Sequence, residues 1–356
     1  MIKVRRVRLL GVALIALATA CTQSTSAAVP PTSSSAATAP AKLSSPRPAK
    51  HQRPAARKVV DPSNPVTPGF TPGSVAFWDA ENGLLAGQIT LYRNRSQYDG
   101  AVAVTHDGGS SWHLVYRADA PVGDLATVGD GMAFATVGAD HPRLIATSDQ
   151  AKTWRTWHGS QGLSQASFES SSLGWARSRK GLVRWSSGRW SPISNPCKGT
   201  IIDLSFPEGG GGIGWLACAF EPGAGQEPKV IYETDNGGSS WTIRAGYPNG
   251  FTSSSKEYGS GLDSYGYLAG ISFLPDGSGW LVTGRGTFLS TEDGGVTWQP
   301  HVGFQEPEVA FGAAVWRVDG GTGFAIEDRH GRHAVLHVSH DGGATWSRVI
   351  AFPMHP

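Results

Sequence analysis

The sequence predicts an all-β fold: a single β-propeller of six four-stranded blades. Three observations point there. An eight-residue pattern, Ser/Thr-x-Asp-x-Gly-x-Ser/Thr-Trp, recurs along the chain, with its clearest copy at Thr291-Glu292-Asp293-Gly294-Gly295-Val296-Thr297-Trp298. A second recurrence lies ahead of most copies, in which an aromatic, a polar turn and Gly-Trp open an apolar strand, as in Phe168 to Gly174-Trp175. The whole chain carries 47 Gly and 23 Pro, and its folded part shows no long stretch of 3.6-residue periodicity, which leaves short strands joined by turns.

Residues 1–20 read as an address rather than as structure. Lys3, Arg5, Arg6 and Arg8 form a basic start, and the apolar run from Leu9 to Ala18 is too short for a membrane-spanning helix, so a secretory signal is expected. It ends in Leu17-Ala18-Thr19-Ala20-Cys21, which resembles the lipobox of bacterial lipoproteins and makes Cys21 the expected lipidation site, although Ala18 stands where Leu is usual. Residues 21–72 are rich in Ala, Ser, Thr and Pro, cannot bury enough apolar surface to offset ordering entropy, and are expected to form a tether. The tether holds Lys42, Arg47, Lys50, Arg53, Arg57 and Lys58 against one acid, Asp61. Of the chain's 30 basic and 28 acidic residues, 20 basic and 27 acidic therefore remain for residues 73–356, the expected propeller. An acidic globule on a basic leash argues against a nucleic-acid partner.

Six units follow. The first runs through Val75-Ala76-Phe77-Trp78, Gly83 to Gly87 and Ala101 to Val104 into the turn Thr105 to Trp112. The terminal tryptophans are Trp112, Trp154, Trp190, Trp241, Trp298 and Trp346, with separations of 42, 36, 51, 57 and 48 residues, close to one propeller blade each. The acidic position is held by Asp107, Asp149, Asp293 and Asp341, and by Asn236 in unit four; unit two has Ala151 for Gly, and unit three keeps only Arg184 to Trp190. Such degeneracy suits a structural device. A short side-chain oxygen accepts backbone N–H groups inside the loop and Gly supplies positive φ, while the Trp is expected to wedge between neighbouring sheets. The second element recurs at Phe206 to Trp215, Phe273 to Trp280 and, more weakly, Val318 to Gly323-Phe324. Residues 242–267 or 301–315 leave room for a seventh, degenerate blade.

On these motifs, residues about 74–350 resemble the Asp-box (bacterial neuraminidase repeat) propellers, and within them the branch similar to the photosystem II assembly and stability factor. The resemblance implies fold strongly and function weakly, because function lives in sites grafted on the fold. Related sialidases need three arginines on the substrate carboxylate and announce the first with aromatic-Arg-Ile-Pro on the first inner strand; here that stretch is Gly73-Ser74-Val75-Ala76-Phe77-Trp78, without Arg. The expected function is therefore a surface-anchored, non-catalytic module binding an envelope protein or glycan, with a sialidase-like glycosidase as the alternative.

In a four-stranded meander the Asp-box turns mark one rim and the longer loops the other. Candidate ligand residues on that loop face are Arg93, Arg95, Tyr258, Tyr265 and Tyr267, with segment Asn249 to Tyr267 as the main candidate because aromatics and mixed charges suit an interface. No catalytic residue, cofactor or metal is assigned. On a strand His333 and His337 lie about 13 Å apart, too far to chelate one ion, and His330 adds no neighbour two residues away. The run Gly209 to Gly212 reads as a turn between inner strands. Cys197 precedes one strand and Cys218 lies late in its antiparallel neighbour, so the pair is expected to meet as a disulfide on the loop face. A monomer, anchored to the cell membrane through its lipid and facing out of the cytoplasm, completes the expectation.

Overall fold

The computed structural model describes residues 69–90, 98–129, 131–247, 260–263, 265–285, 287–301, 313–329 and 333–353. All of them lie in the compact unit Ala56–Pro356. Cys21, Arg93, Arg95, His330 and Tyr258 fall outside the described residues, as do the signal and nearly all of the tether.

Among the described residues twenty-four strands form six antiparallel sheets, each of four strands consecutive in sequence. The chain is an Asp-box β-propeller of six blades. The innermost strands, A, are Phe70–Phe77, Val122–Val128, Leu163–Ser170, Thr200–Ser205, Leu268–Phe273 and Ala313–Arg317. Residues 242–247 are strand D of blade 4, and 313–317 are strand A of blade 6, so no seventh sheet forms among the described residues.

Each complete Asp-box closes on itself in the same way. In blade 1, Asp107 Oδ1 accepts from Thr105 Oγ1 and from the Ser111 amide at 2.8 Å, and Oδ2 accepts from Ser111 Oγ at 2.6 Å. Thr105 Oγ1 in turn accepts from the Gly109 amide. Asn236 reproduces the carboxylate by accepting the Ser240 amide through Oδ1 while its Nδ2 donates to Ser240 Oγ. Ala151 takes the place of Gly at φ +67°, a conformation that costs an L-residue strain. Blade 3 dispenses with the box: Ser187 and Gly188, both at positive φ, make a two-residue hairpin between strands Gly181–Ser186 and Arg189–Pro192.

The box turns and the A–B turns share one rim and bond to each other, through Gly108 N to Glu81 O, Gln150 N to Gly131 O, Gly237 N to Gly212 O, Gly294 N to Gly277 O and Gly342 N to Gly321 O, all at 2.9–3.0 Å. Among the described residues, the B–C and D–A connections lie at the opposite rim.

Packing between blades corrects two sequence expectations. The wedge is supplied by strand B: Trp175, Trp215 and Trp280 are at most 1% exposed, whereas Trp154, Trp190, Trp241, Trp298 and Trp346 stay half-buried at the rim, and Trp112 alone of the box tryptophans is fully buried. Two of the wedges lie flat on the aromatic at the end of strand A of the next blade, Trp175 on Phe206 at 3.7 Å and Trp215 on Phe273 at 4.2 Å. Each wedge's indole N–H donates to the next blade's box, Trp175 to Gly237 O, Trp215 to Gly294 O and Trp280 to Gly342 O, each at 3.0 Å. The conserved spacing of aromatic and Gly-Trp within the chain follows from this stack. A Cβ on Gly174 would fall 2.2 Å from the Phe168 ring that covers it. In blade 6 the residue opposite Gly323 is Arg317, not Val318, and its guanidinium covers Trp280 at 5.1 Å in place of an aromatic.

Candidate functional site

The inner strands enclose a channel of about 1170 Å³ along the propeller axis. Each A strand runs from the loop face to the box face. Bulges interrupt the pairing in mid-strand between Pro72 and Ser74, Gly123 and Ala126, Ile201 and Asp203, and Leu268 and Gly270, and blade 3 has an irregularity over Gln165 and Ala166. A bulge turns side chains toward the axis that regular pleating would send between blades. Ser74, Asp124, Gln165, Asp203 and Arg177 thereby line the channel nearer its loop end. Asp203 accepts the Leu204 and Ile271 amides at 2.8 and 2.9 Å. Its carboxyl is half-exposed to the channel yet shut off from bulk water by the surrounding blades, and this burial pushes it up to about 7.

Two arginines, Arg177 and Arg317, line the channel among the described residues, and they sit at opposite ends. Arg177 is spent on the Ile201 carbonyl at 3.1 Å, and Arg317 caps Trp280 on the box side. No convergent arginine clamp is built from the described residues.

The loop face between blades 4 and 5 is constructed differently. Strand C of blade 4, Lys229–Thr234, opens with a lysine that is 1% exposed. Lys229 Nζ donates to the carbonyls of Tyr265 and Gly266 at 3.1 and 2.8 Å, and Glu227, 7% exposed, accepts the Leu268 amide at 2.5 Å. Desolvation lowers the Lys229 ammonium to about 8, with Glu227 and Asp263 opposing the shift; desolvation likewise raises Glu227. These buried charges clamp the chain leading into blade 5. A bridge between Gln226 and Tyr265 and a hydrogen bond from Gly266 N to Gly225 O add to the clamp.

On this support stands an aromatic platform. Tyr265 is 45% exposed and Tyr267 half-buried, and the Arg285 guanidinium lies over both rings at 5.7 and 5.8 Å. Its other side rests on Gly225, where a Cβ would fall 2.5 Å from Nη1. Arg285 holds φ +79° in the B–C turn of blade 5, and its Nε has no hydrogen-bond partner. The sequence reading named the tyrosines but missed Arg285, Lys229 and Glu227 as parts of the site. The available signals were an arginine between two glycines, Gly284-Arg285-Gly286, and a lysine opening the apolar run Val230-Ile231-Tyr232.

The remaining candidates are placed as follows. Cys197 and Cys218 form a disulfide on the loop side of blade 4, with Cα atoms 5.7 Å apart. Asp107, Asp149, Asp293 and Asp341 lie in box turns, and their carboxylates are held below the usual range, Asp149 and Asp293 to about 2, chiefly by hydrogen bonds in the boxes of Asp149, Asp293 and Asp341. For Asp107, desolvation is the largest influence and opposes those bonds. His337 meets the Glu327 carboxylate at 3.1 Å inside blade 6. The turn Gly209 to Gly212 is filled by a carboxylate of the protein itself, since Glu169 accepts the Gly211 and Gly212 amides. Among the described residues no group of three or more His, Cys, Asp or Glu side chains is placed to hold a metal ion.

The profile of the family described as Photosynthesis system II assembly factor YCF48 matches residues 251–356, which span blades 5 and 6. No curated protein matches the chain. Among solved structures, the chain is similar to YCF48 bound to D1 peptide, at 16% identity over 79% of this chain and 81% of that one, with a TM-score of 0.46. It is similar to the SapL1 lectin in complex with alpha methyl fucoside at 13% identity, 80% and 96% coverage and a TM-score of 0.50. The Hadza microbial sialidase Hz136 aligns at 13% identity, 73% and 64% coverage and a TM-score of 0.45.

Proposed function

We propose that the propeller is a non-catalytic binding or assembly module, displayed outside the cytoplasmic membrane on a lipid at Cys21, and that it takes an envelope protein or glycan on its loop face. The observation that carries this reading is the platform of Tyr265, Arg285 and Tyr267, an exposed aromatic surface fixed from beneath by the buried Lys229 and Glu227. A rigid aromatic with a cation beside it offers large contact area at low entropic cost, to a peptide or to a sugar face. The strained φ of Arg285 fits a residue kept for what it presents rather than for ease of folding. The separation of the two channel arginines supports binding over sialoside hydrolysis, which requires them together.

The test compares wild type with the double variant Tyr265→Ala/Arg285→Ala by cross-linking mass spectrometry in envelope extract and on a glycan array, beside a fluorogenic sialoside assay. Cross-links or a glycan signal centred on residues 260–285 and lost in the variant are expected, with no hydrolysis. Sialoside cleavage by wild type, or partner capture indifferent to the double substitution, would defeat the reading.

A further inference from the structure

The platform holds a cation whose donors the protein itself does not take up. Arg285 lies over Tyr265 and Tyr267 at 5.7 and 5.8 Å and against Gly225, yet among the described residues its guanidinium meets no hydrogen-bond acceptor and no carboxylate. Contacts on both sides, and a backbone held at φ +79°, fix the direction of the fork before a ligand arrives.

Gln226 completes the group. An antiparallel bridge sets it opposite Tyr265, and directly opposed residues carry their side chains on one face with Cβ atoms about 5 Å apart. Gln226 is exposed, so its amide stands beside the exposed ring. The residue before it is Gly225, where a Cβ would fall 2.5 Å from Arg285 Nη1. A flat ring, a fixed guanidinium and a primary amide thus meet around one glycine.

The surroundings select the ligand. Asp263 accepts the Tyr265 amide at 2.9 Å and Glu227 accepts the Leu268 amide beneath, so two acids balance Lys229 and Arg285. A site with no net positive charge does not gather a polyanion by its field, but a guanidinium still grips a single carboxylate through two parallel N–H bonds. Among the described residues Tyr265 and Val296 are the exposed large apolar side chains, and Val296 belongs to a box turn. A peptide anchor needs a desolvated pocket, which one exposed ring does not make. A pyranose needs only the ring: the C–H bonds of one sugar face, polarised by neighbouring oxygens, lie on the negative π-face of a tyrosine. In a uronic acid that face and a carboxylate belong to one rigid unit.

We propose that the platform recognises a uronic acid of an acidic glycan: the pyranose lies on Tyr265, Arg285 takes its carboxylate, and Gln226 pairs with its hydroxyls. This rests on the loop face being the binding surface, and it names the ligand class left open there.

The test is calorimetric titration of the wild type with trigalacturonate and with a glucuronate-bearing hyaluronan tetrasaccharide, beside their methyl esters and tetraglutamate. Saturable binding of at least one of the two acidic sugars is expected, weakened about tenfold or more in its ester, which keeps the ring and loses the charge. Arg285→Lys should weaken it about tenfold, because an ammonium keeps the charge without the fork. Gln226→Ala should weaken it less. Arg285→Gly should lose binding while the unfolding temperature is unchanged or raised, since Gly adopts φ +79° freely; a residue needed only for folding would not give that pair of results. No saturation by either sugar up to about 10 mM, an ester that binds as tightly as its acid, or tetraglutamate that binds as tightly as the sugars would overturn the proposal. Envelope capture centred on residues 260–285 in a protein that binds neither acidic sugar would remove this inference and leave the loop-face reading standing; loss of both would remove both.

Discussion

The indole N–H of Trp316 donates to the carbonyl of Phe77 at 2.8 Å, joining the last blade to the first across 239 residues of sequence. Each blade is made of four consecutive strands, so no strand is shared between the first and last sheets and the ring is closed by side chains. Phe77 serves both neighbours: its ring stacks on Phe324 of blade 6 at 3.5 Å, and its carbonyl also accepts Thr127 Oγ1 of blade 2 at 2.9 Å. Phe324→Ala should therefore open the seam and cost about 3–5 kcal/mol, whereas Trp316→Phe, which leaves the Phe77 carbonyl its bond to Thr127, should cost only about 1 kcal/mol. Equilibrium denaturation of the two variants checks the ratio.

The boxes make a graded prediction. Asp341 accepts the Thr345 amide at 2.8 Å, Thr345 Oγ1 at 2.5 Å and Ser339 Oγ at 2.9 Å. Asp341→Ala should cost about 1–3 kcal/mol, while Asp341→Asn should cost less, because Asn236 already performs the same task in blade 4. Binding by the loop face should be retained in both, which a pull-down beside the denaturation curve will show.

Stability should respond to pH in two opposite ways. The box aspartates have folded values below the ordinary 3.8, so their contribution is present above that value and is lost as pH falls through about 2. Asp203 is raised to about 7, so the folded state holds its proton more tightly, and stability from this group is full below about 4 and declines as pH rises through 7. Carboxyl-carbon NMR titration should find one aspartate near neutrality. In Asp203→Asn the decline between these limits should flatten, whatever the variant's overall stability.

Lys229→Met should loosen the loop rather than the blade. The carbonyls of Tyr265 and Gly266 lose their donor, and Glu227 is left buried without its cation. A loss of about 1–3 kcal/mol is expected, with faster amide hydrogen exchange confined to residues 265–268 and weakened loop-face binding. Exchange that rises evenly through blade 4 would contradict the clamp.

The disulfide closes a loop between residues 21 apart in sequence. Replacing both Cys197 and Cys218 by Ser should cost about 3 kcal/mol. The wild-type protein, unfolded without reductant, should show neither of these two thiols; titration with a thiol reagent decides the matter. Cys21→Ser should move the protein from the membrane fraction to the medium, as fractionation and mass spectrometry of the acyl group will report.

The sequence by itself determined the architecture. Short-range chemistry sufficed for the blade: a box needs only its own eight residues to close, as the bonds within Thr105 to Trp112 show, and five boxes with the remnant Arg184 to Trp190 at blade spacing call for stacked units that bury one another's apolar faces, while the count of six against seven was left to the tertiary structure. It also exposed the pairing of each aromatic with Gly-Trp, though not its reason. That reason is tertiary, since Trp175 stacks on Phe206 and bonds to Gly237, residues of the next blade. The same holds for the binding face. Tyr265 and Tyr267 were visible as aromatics in a loop, but Arg285, 20 residues beyond Tyr265 in a different turn, joins them only because strands A and B of blade 5 pair Leu268 with Thr283 and Tyr267 with Gly284, setting the two flanking segments side by side. The channel was illegible for a further reason. Period-two alternation assigns side chains to one sheet face or the other, and bulges at Asp124 and before Asp203 break that alternation, turning to the axis residues that the pattern would have placed between blades. A bulge is settled by hydrogen bonds to the neighbouring strand and blade, which a local pattern of residues does not contain.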